Sequence, residues 1–170
     1  MEKYGFYPYT PEYASIFKRE EEKLRGHFDD GVRIEHVGST AVPGLGGKRI
    51  VDICVGVPSK KDFKKHLSLL STAGYDFREN GSTPRRLFFR RTTNESIVVH
   101  VHLVVFNSEV WFEFTRFRDY LKKNPEAVAK YIELKKLSCK AAKGDGGKYR
   151  VFKENFIKRI HKLALKDEKN

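Results

Sequence analysis

The residues with the clearest chemical potential lie between positions 34 and 54. Ile34-Glu35-His36-Val37 runs into Gly38-Ser39-Thr40, and a loop holding Pro43, Gly44, Gly46, Gly47 and Lys48 leads to Ile50–Val57. Glycine after a strand lets backbone N–H groups come close to a ligand, and serine and threonine add hydroxyl donors, so Gly38, Ser39 and Thr40 can cradle a phosphate. Ile50–Val57 is nearly all apolar, which predicts a central strand buried on both faces. Its one charge, Asp52, is either a hydrogen-bonded core carboxylate or the ligand of a metal that bridges phosphate oxygens. His100 and His102 stand at i and i+2 in a later strand-like run and so share a face. With Asp52 they make a 2-His-1-carboxylate set, which favours Mn²⁺, Zn²⁺ or Fe²⁺ over Mg²⁺. The alternative is two imidazoles satisfied by backbone partners. His36 is either a general base or a prop for the loop, and its neighbour Glu35 points to the opposite face. Asp52 and His36 are the catalytic candidates. Cys54, inside the apolar run, reads as a small buried hydrophobe.

Cations complete the set. Lys48 ends the glycine loop, Arg86 opens a strand, and Arg118 sits among apolar neighbours on a helix. Arginine in such places clamps phosphate through its fork, or else forms a structural pair, here with Asp119 or a glutamate. Lys135, and then Lys148, Tyr149 and Lys153, are placed to close the site from the C-terminal side. Trp111, Phe112 and Phe114 read as helix core.

The elements that must hold these residues follow from periodicity. Pro11–Phe28 predicts a helix: Tyr13, Ile16, Phe17, Glu20, Leu24 and Phe28 recur at 3 and 4 spacing, with Glu20 the polar break. Val32–Val37 predicts a short strand with Val32, Ile34 and His36 on one face. Ser59–Ala73 reads as a second helix capped by Ser59 and ended by Gly74. Tyr75–Phe77 reads as a short strand. Arg86–Arg91 and Ile97–Val105 read as a hairpin. Helices follow from Glu109 to about Lys122, from Pro125 to about Ala142 with Asn124 as cap, and from Tyr149 to Leu165 after a flexible break at 143–147. The order predicts one α+β domain over residues 1–170: a mixed sheet with packed helices, then a helical tail from about residue 109.

Composition sets the boundaries. The 170 residues carry 34 Lys+Arg against 22 Asp+Glu, a net charge of +12. Most of that excess falls in residues 109–170, and it favours anionic partners. Two cysteines, Cys54 and Cys139, exclude a disulfide scaffold. No apolar run reaches membrane-spanning length, and the start lacks the apolar core of a signal peptide, so a cytoplasmic protein is expected. Oligomeric state is not readable from these features.

The Glu35-His36-Val37-Gly38-Ser39-Thr40-x-Val42-Pro43-Gly44 block resembles the GrpB family, whose fold is similar to that of nucleotidyltransferases. Further matching residues are Tyr9-x-Pro11, Lys48-x-Ile50-x-Asp52-Ile53, Gly74-Tyr75, His100-x-His102, Phe117-Arg118-Asp119-Tyr120-Leu121, Asn124-Pro125, Tyr131, Lys135, Lys148-Tyr149 and Lys153. The resemblance implies a nucleotidyltransferase-like mixed sheet and a divalent metal (Mn, Zn or Mg). It also implies a nucleotide or phosphorylated small molecule as ligand. In the superfamily pattern two acids stand at i and i+2 on one strand; Asp52 fills the first place and Cys54 stands at the second. Domains of this family occur fused to dephospho-coenzyme A kinases, which implies a link to cofactor metabolism. Three functions are therefore weighed: transfer of a nucleotidyl or phosphoryl group to a small acceptor, a catalytically inactive phosphate-ligand module, and nucleic-acid binding by the basic helices. The last lacks a helix-turn-helix, zinc-finger or RNP motif.

Overall fold

The computed structural model describes residues 5–29, 31–142 and 145–167. The N-terminal stripe forms α1 (Glu12–Arg25), which buries Tyr13, Ile16, Glu20 and Leu24 and ends short of Phe28 with Gly26 as its C-cap. Thr10 accepts from the Glu12 N–H at 3.3 Å. Glu20, the polar break, is buried with partners: the Tyr75 hydroxyl donates to it, and Arg91 lies 3.8 Å away.

Five strands, β1 (Arg33–Val37), β2 (Ile50–Val57), β3 (Asp76–Phe77), β4 (Arg86–Thr92) and β5 (Val98–Val105), form one mixed sheet in the order β1-β2-β5-β4-β3. β2 and β5 run parallel, and the other neighbours are antiparallel. A parallel pair needs a long crossover. Here it includes α2 (Phe63–Thr72), which follows a 3-10 turn at Lys60–Asp62 closed by a reciprocal Ser59–Asp62 capping box. The helix expected over 59–73 is therefore split at its start.

Register decides which side chains share a face. Glu35 lies opposite Cys54 and Val37 opposite Asp52 across β1–β2. Asp52 lies opposite His100 and Cys54 opposite His102 across β2–β5, and Phe88 faces His102 from β4. One face thus carries Glu35, Asp52, Cys54, His100, His102, Phe88 and Arg86. The other carries Ile34, Val51, Ile53, Val55, Val57, Val99, Val101 and Leu103, in one apolar core with Tyr13, Ile16 and Leu24 of α1 and Phe63 and Leu70 of α2.

Three helices cover the polar-bearing side: α3 (Glu109–Lys123), α4 (Pro125–Ala142) and α5 (Gly146–Asp167). Val110 and Trp111 of α3 pack on Val37, Cys54 and Val104. Leu121 of α3, Tyr131 of α4 and Ile160 of α5 meet Val42 and Leu45 of the loop in one apolar cluster. α5 starts three residues before the expected Tyr149, and Lys143 and Gly144 of the expected break lie outside the described residues. No helix among the described residues is long and apolar enough to cross a membrane.

Arg118 ties α3 to β1. Its NH1 donates to Glu35 Oε2 at 2.6 Å and to the His36 carbonyl at 3.0 Å, while Nε and NH2 fork onto Asp119 at 2.7 and 3.1 Å. The expected phosphate clamp is instead a structural pair, because carboxylates on both sides already occupy the fork. Arg118 is 12% exposed while Glu35 and Asp119 are 39% and 49% exposed, so water screens part of the interaction. Arg118→Ala is expected to cost about 1–3 kcal/mol in urea denaturation, and Arg118→Lys to recover only part, since lysine keeps the charge but loses the fork. An unchanged denaturation midpoint in Arg118→Ala would refute the tie.

Candidate metal and phosphate site

The site begins where β1 stops. Gly38 turns the chain with φ 71°, in the left-handed region that favours glycine. Close approach is the second reason for glycine: a Cβ here would stand 2.5 Å from Asp52 Oδ2. The other carboxylate oxygen, Oδ1, is met by His100 Nδ1 at 3.2 Å and His102 Nε2 at 3.4 Å. These donor atoms all lie within 4.8 Å of one another. A tetrahedral ion with bonds of about 2.0–2.1 Å holds its donors about 3.3–3.4 Å apart, which matches both Asp52–His separations.

Protonation states agree with that geometry. Burial raises the Asp52 carboxyl, but hydrogen bonds and charge from His100 and His102 outweigh it and hold the group below the usual carboxylate range. Burial lowers His102 against the pull of Asp52, so its ring is neutral at pH 7. An ionised carboxylate and a neutral imidazole are what a metal requires. Phe88 stacks on His102 at 5.2 Å between centroids and Phe114 packs at 4.6 Å, fixing the ring.

Lysines gather one residue away. Ser39 opens a 3-10 turn (Ser39–Ala41), and its Oγ lies 2.5 Å from Lys135 Nζ. Lys135 rises from α4, is 1% exposed, and also donates to the Gly46 carbonyl at 2.7 Å. Burial, together with Lys153 and Lys48, pushes its ammonium down to about 7, against an upward pull from Asp52 and Cys139. Burial also lowers Lys153, with Asp52 opposing. The ammonium groups of Lys48 and Lys153 lie over the Tyr149 ring, 3.8 and 4.4 Å from its centre. Like charges brought together from a loop, α4 and α5 create a local field that attracts anions.

Other expected residues are placed differently. Thr40 is buried; its hydroxyl donates to the Ile50 carbonyl at 3.0 Å and sits 3.1 Å from His36 Nε2, so it stitches the loop to β2. His36 lies on the far face, stacked on Phe17 of α1 at 4.8 Å, and burial pushes it down to about 4. It is the prop of the loop, and the candidate base is set aside because the sheet stands between it and Asp52. Glu35 takes the site face, but its carboxylate is held by Arg118. Arg86 shares the site face, donates through NH2 to the Gly81 carbonyl at 2.7 Å, and keeps its Nε buried without a partner. Cys54 is fully buried, and that burial drives its thiol far up, as an inert core residue requires. Phe88 and Phe114 were not legible as supports of His102; the available signal was the alternation Arg86, Phe88, Arg90 along β4.

The GrpB protein family matches residues 5–163 of this chain. A UPF0157 protein of Pseudomonas aeruginosa is 33% identical over 93% of this chain and 66% of its own length. A dephospho-CoA kinase of Mycobacterium leprae is 26% identical over 78% of this chain, a stretch that makes up 39% of the kinase. The crystal structure of conserved protein GrpB from Enterococcus faecalis superposes with a TM-score of 0.87 at 29% identity, covering 98% of this chain and 100% of that one. The match takes in the sheet, the glycine loop and most of the C-terminal helices, and the chain belongs to the GrpB family.

Proposed function

We propose that this protein binds a nucleotide or another phosphate-bearing ligand beside a divalent metal, and transfers a nucleotidyl or phosphoryl group to a small acceptor. The observation that carries the reading is the convergence of Asp52, His100 and His102 next to Gly38 and Ser39, faced by lysines from α4 and α5. Asp52 Oδ1, His100 Nδ1 and His102 Nε2 would hold the ion, and two imidazoles with one carboxylate suit Mn²⁺ or Zn²⁺. A metal there supplies Lewis acidity toward a phosphoryl oxygen. The backbone at Gly38 and Ser39 would approach the phosphates, and Lys48 and Lys153 would offset their charge. The stretch shared with a dephospho-CoA kinase supports nucleotide-related chemistry as the context.

A second reading, a binding protein without transfer activity, is favoured by Cys54. The next side chain on the Asp52 face of β2 is a buried thiol, so the strand offers one carboxylate where a two-metal site uses a pair. Loss of pyrophosphate or phosphate from a bound nucleotide, assayed with a panel of acceptors, separates the two.

Calorimetric titration with Mn²⁺ or Zn²⁺ is expected to find one site that Asp52→Asn abolishes. Gly38→Ala should weaken it about 10–100-fold, as loss of a group that positions a ligand does, because the new Cβ meets the carboxylate. A titration that registers no binding would end the metal reading.

In thermal-shift assays ATP with Mn²⁺ should stabilise the wild type, by about 2.7 kcal/mol at a hundred times its Kd. Lys153→Met should weaken ATP binding about 10–150-fold, the equivalent of one hydrogen bond to a charged group. Equal affinity in the two proteins would remove Lys153 from the phosphate site.

A further inference from the structure

We infer that Ser39 is a nucleophile and Lys135 its general base: Ser39 Oγ attacks the α-phosphorus of a bound nucleoside triphosphate, Lys135 takes the hydroxyl proton, and pyrophosphate leaves. The product is a Ser39 nucleotidyl ester. Attack by an acceptor hydroxyl then breaks the Ser39 Oγ–phosphorus bond: Lys135 returns its proton to Ser39 Oγ as that bond breaks, and the neutral amine takes the acceptor's hydroxyl proton, which passes to solvent. The inference rests on the nucleotide reading above and names its first acceptor.

The geometry is that of an activated hydroxyl. Ser39 Oγ and Lys135 Nζ are 2.5 Å apart, and the base is oriented by a third group, the Gly46 carbonyl at 2.7 Å. In the structure Lys135 Nζ donates to both Ser39 Oγ and the Gly46 carbonyl; the neutral amine would keep the Gly46 bond and turn its lone pair to the Ser39 proton. Lys135 is 1% exposed, so water does not compete for that lone pair. Its surroundings favour the neutral form. Burial and the charges of Lys153 and Lys48 push it down to about 7, against the pull of Asp52 and Cys139; the Tyr131 ring face 4.7 Å from Nζ also favours the ammonium. Ser39 itself is only half-buried, one residue from the glycine that touches Asp52.

Elimination points the same way. A single cation held by Asp52, His100 and His102 would polarise a phosphoryl oxygen, and a hydroxyl that does not touch that cation still needs a protein base. Asp52 Oδ1 is engaged by two imidazoles, Glu35 is held by Arg118, and His36 lies on the far face. Among the described residues the basic group in contact with the Ser39 hydroxyl is Lys135.

Two measurements test the pair. Wild-type protein incubated with ATP and Mn²⁺ should gain one nucleotidyl mass, mapped to Ser39 and absent in Ser39→Ala. Lys135→Arg keeps a cation but removes the base, and should slow the adduct about 100-fold or more. A lysine that only held phosphate would tolerate that change. A fluorophosphonate, which needs neither nucleotide nor metal, should label Ser39 of the wild type. Its rate should rise as pH passes about 7 and level off once Lys135 is neutral, which keeps the test valid should Lys135→Arg fold poorly. ATP-induced stabilisation without an adduct would overturn this inference and leave the nucleotide reading standing. No ATP stabilisation together with a fluorophosphonate label would overturn the nucleotide reading and with it the ester. A Ser39 that never reacts with the fluorophosphonate would overturn the nucleophile whatever the nucleotide does.

Discussion

The parallel pairing of β2 with β5 is the constraint on which the site depends. In its observed register Asp52 lies beside His100, with His102 two residues on and on the same face. A slip of one residue would turn every side chain of β2 to the other side. Asp52 would then enter the core formed with α1 and α2, where Ile53, Val55 and Val57 are fully buried and a carboxylate would have no partner. The apolar alternation on one face and the Asp52–histidine hydrogen bonds on the other therefore select the same register. Gly56 adds a third condition: a Cβ there would stand 2.7 Å from the Trp111 ring, so α3 can lie close over β2 only at this position. Fold and site are set by one pairing, and neither could shift without the other.

Much of this was legible from local pattern. The apolar run at 50–57 marks β2, and the hairpin and three C-terminal helices follow their periodicities closely. Asp52, His100 and His102 were readable as a set because i and i+2 spacing on a strand fixes a shared face whatever the tertiary fold. Alternation also separated His36 from Glu35, yet it cannot say which face is the working one. That follows from the antiparallel pairing of β1 with β2, which sets Glu35 against Cys54 and sends His36 toward Phe17. The contacts that Ser39 and Arg118 make are out of reach for any spacing argument. Lys135 meets Ser39 across 96 residues, and Arg118 meets Glu35 across 83.

The two kinds of cation are put to different uses. Arg118 keeps its charge at any ordinary pH and presents a planar fork, so it suits a permanent tie between carboxylates of β1 and α3. Placed beside Ser39 it would be a fixed charge that no burial could neutralise. The positions near Ser39 are instead filled by lysines, whose ammonium groups give up a proton more readily when buried, as the lowered Lys135 and Lys153 show. Lys135 has gone furthest along that path because it is nearly inaccessible, with the charges of Lys153 and Lys48 adding to the effect of burial. The same packing that buries α4 against the glycine loop thereby converts a surface type of residue into a group that titrates near neutrality.

Cys54 gives this arrangement its consequence. With a thiol held neutral by its surroundings at the next position on the Asp52 face, β2 contributes a single negative charge to the site. On the proposed reading, one carboxylate and two imidazoles would hold one ion, with no second carboxylate on the strand for another. On the proposed Ser39 pathway the hydroxyl proton goes to Lys135. Asp52 cannot take it without surrendering the histidines, because its ionised form is what their hydrogen bonds stabilise. Under the proposal the base comes from the helix that carries Lys135 rather than from the strand that carries the acid, so α4 would take part in the site's chemistry as well as cover it.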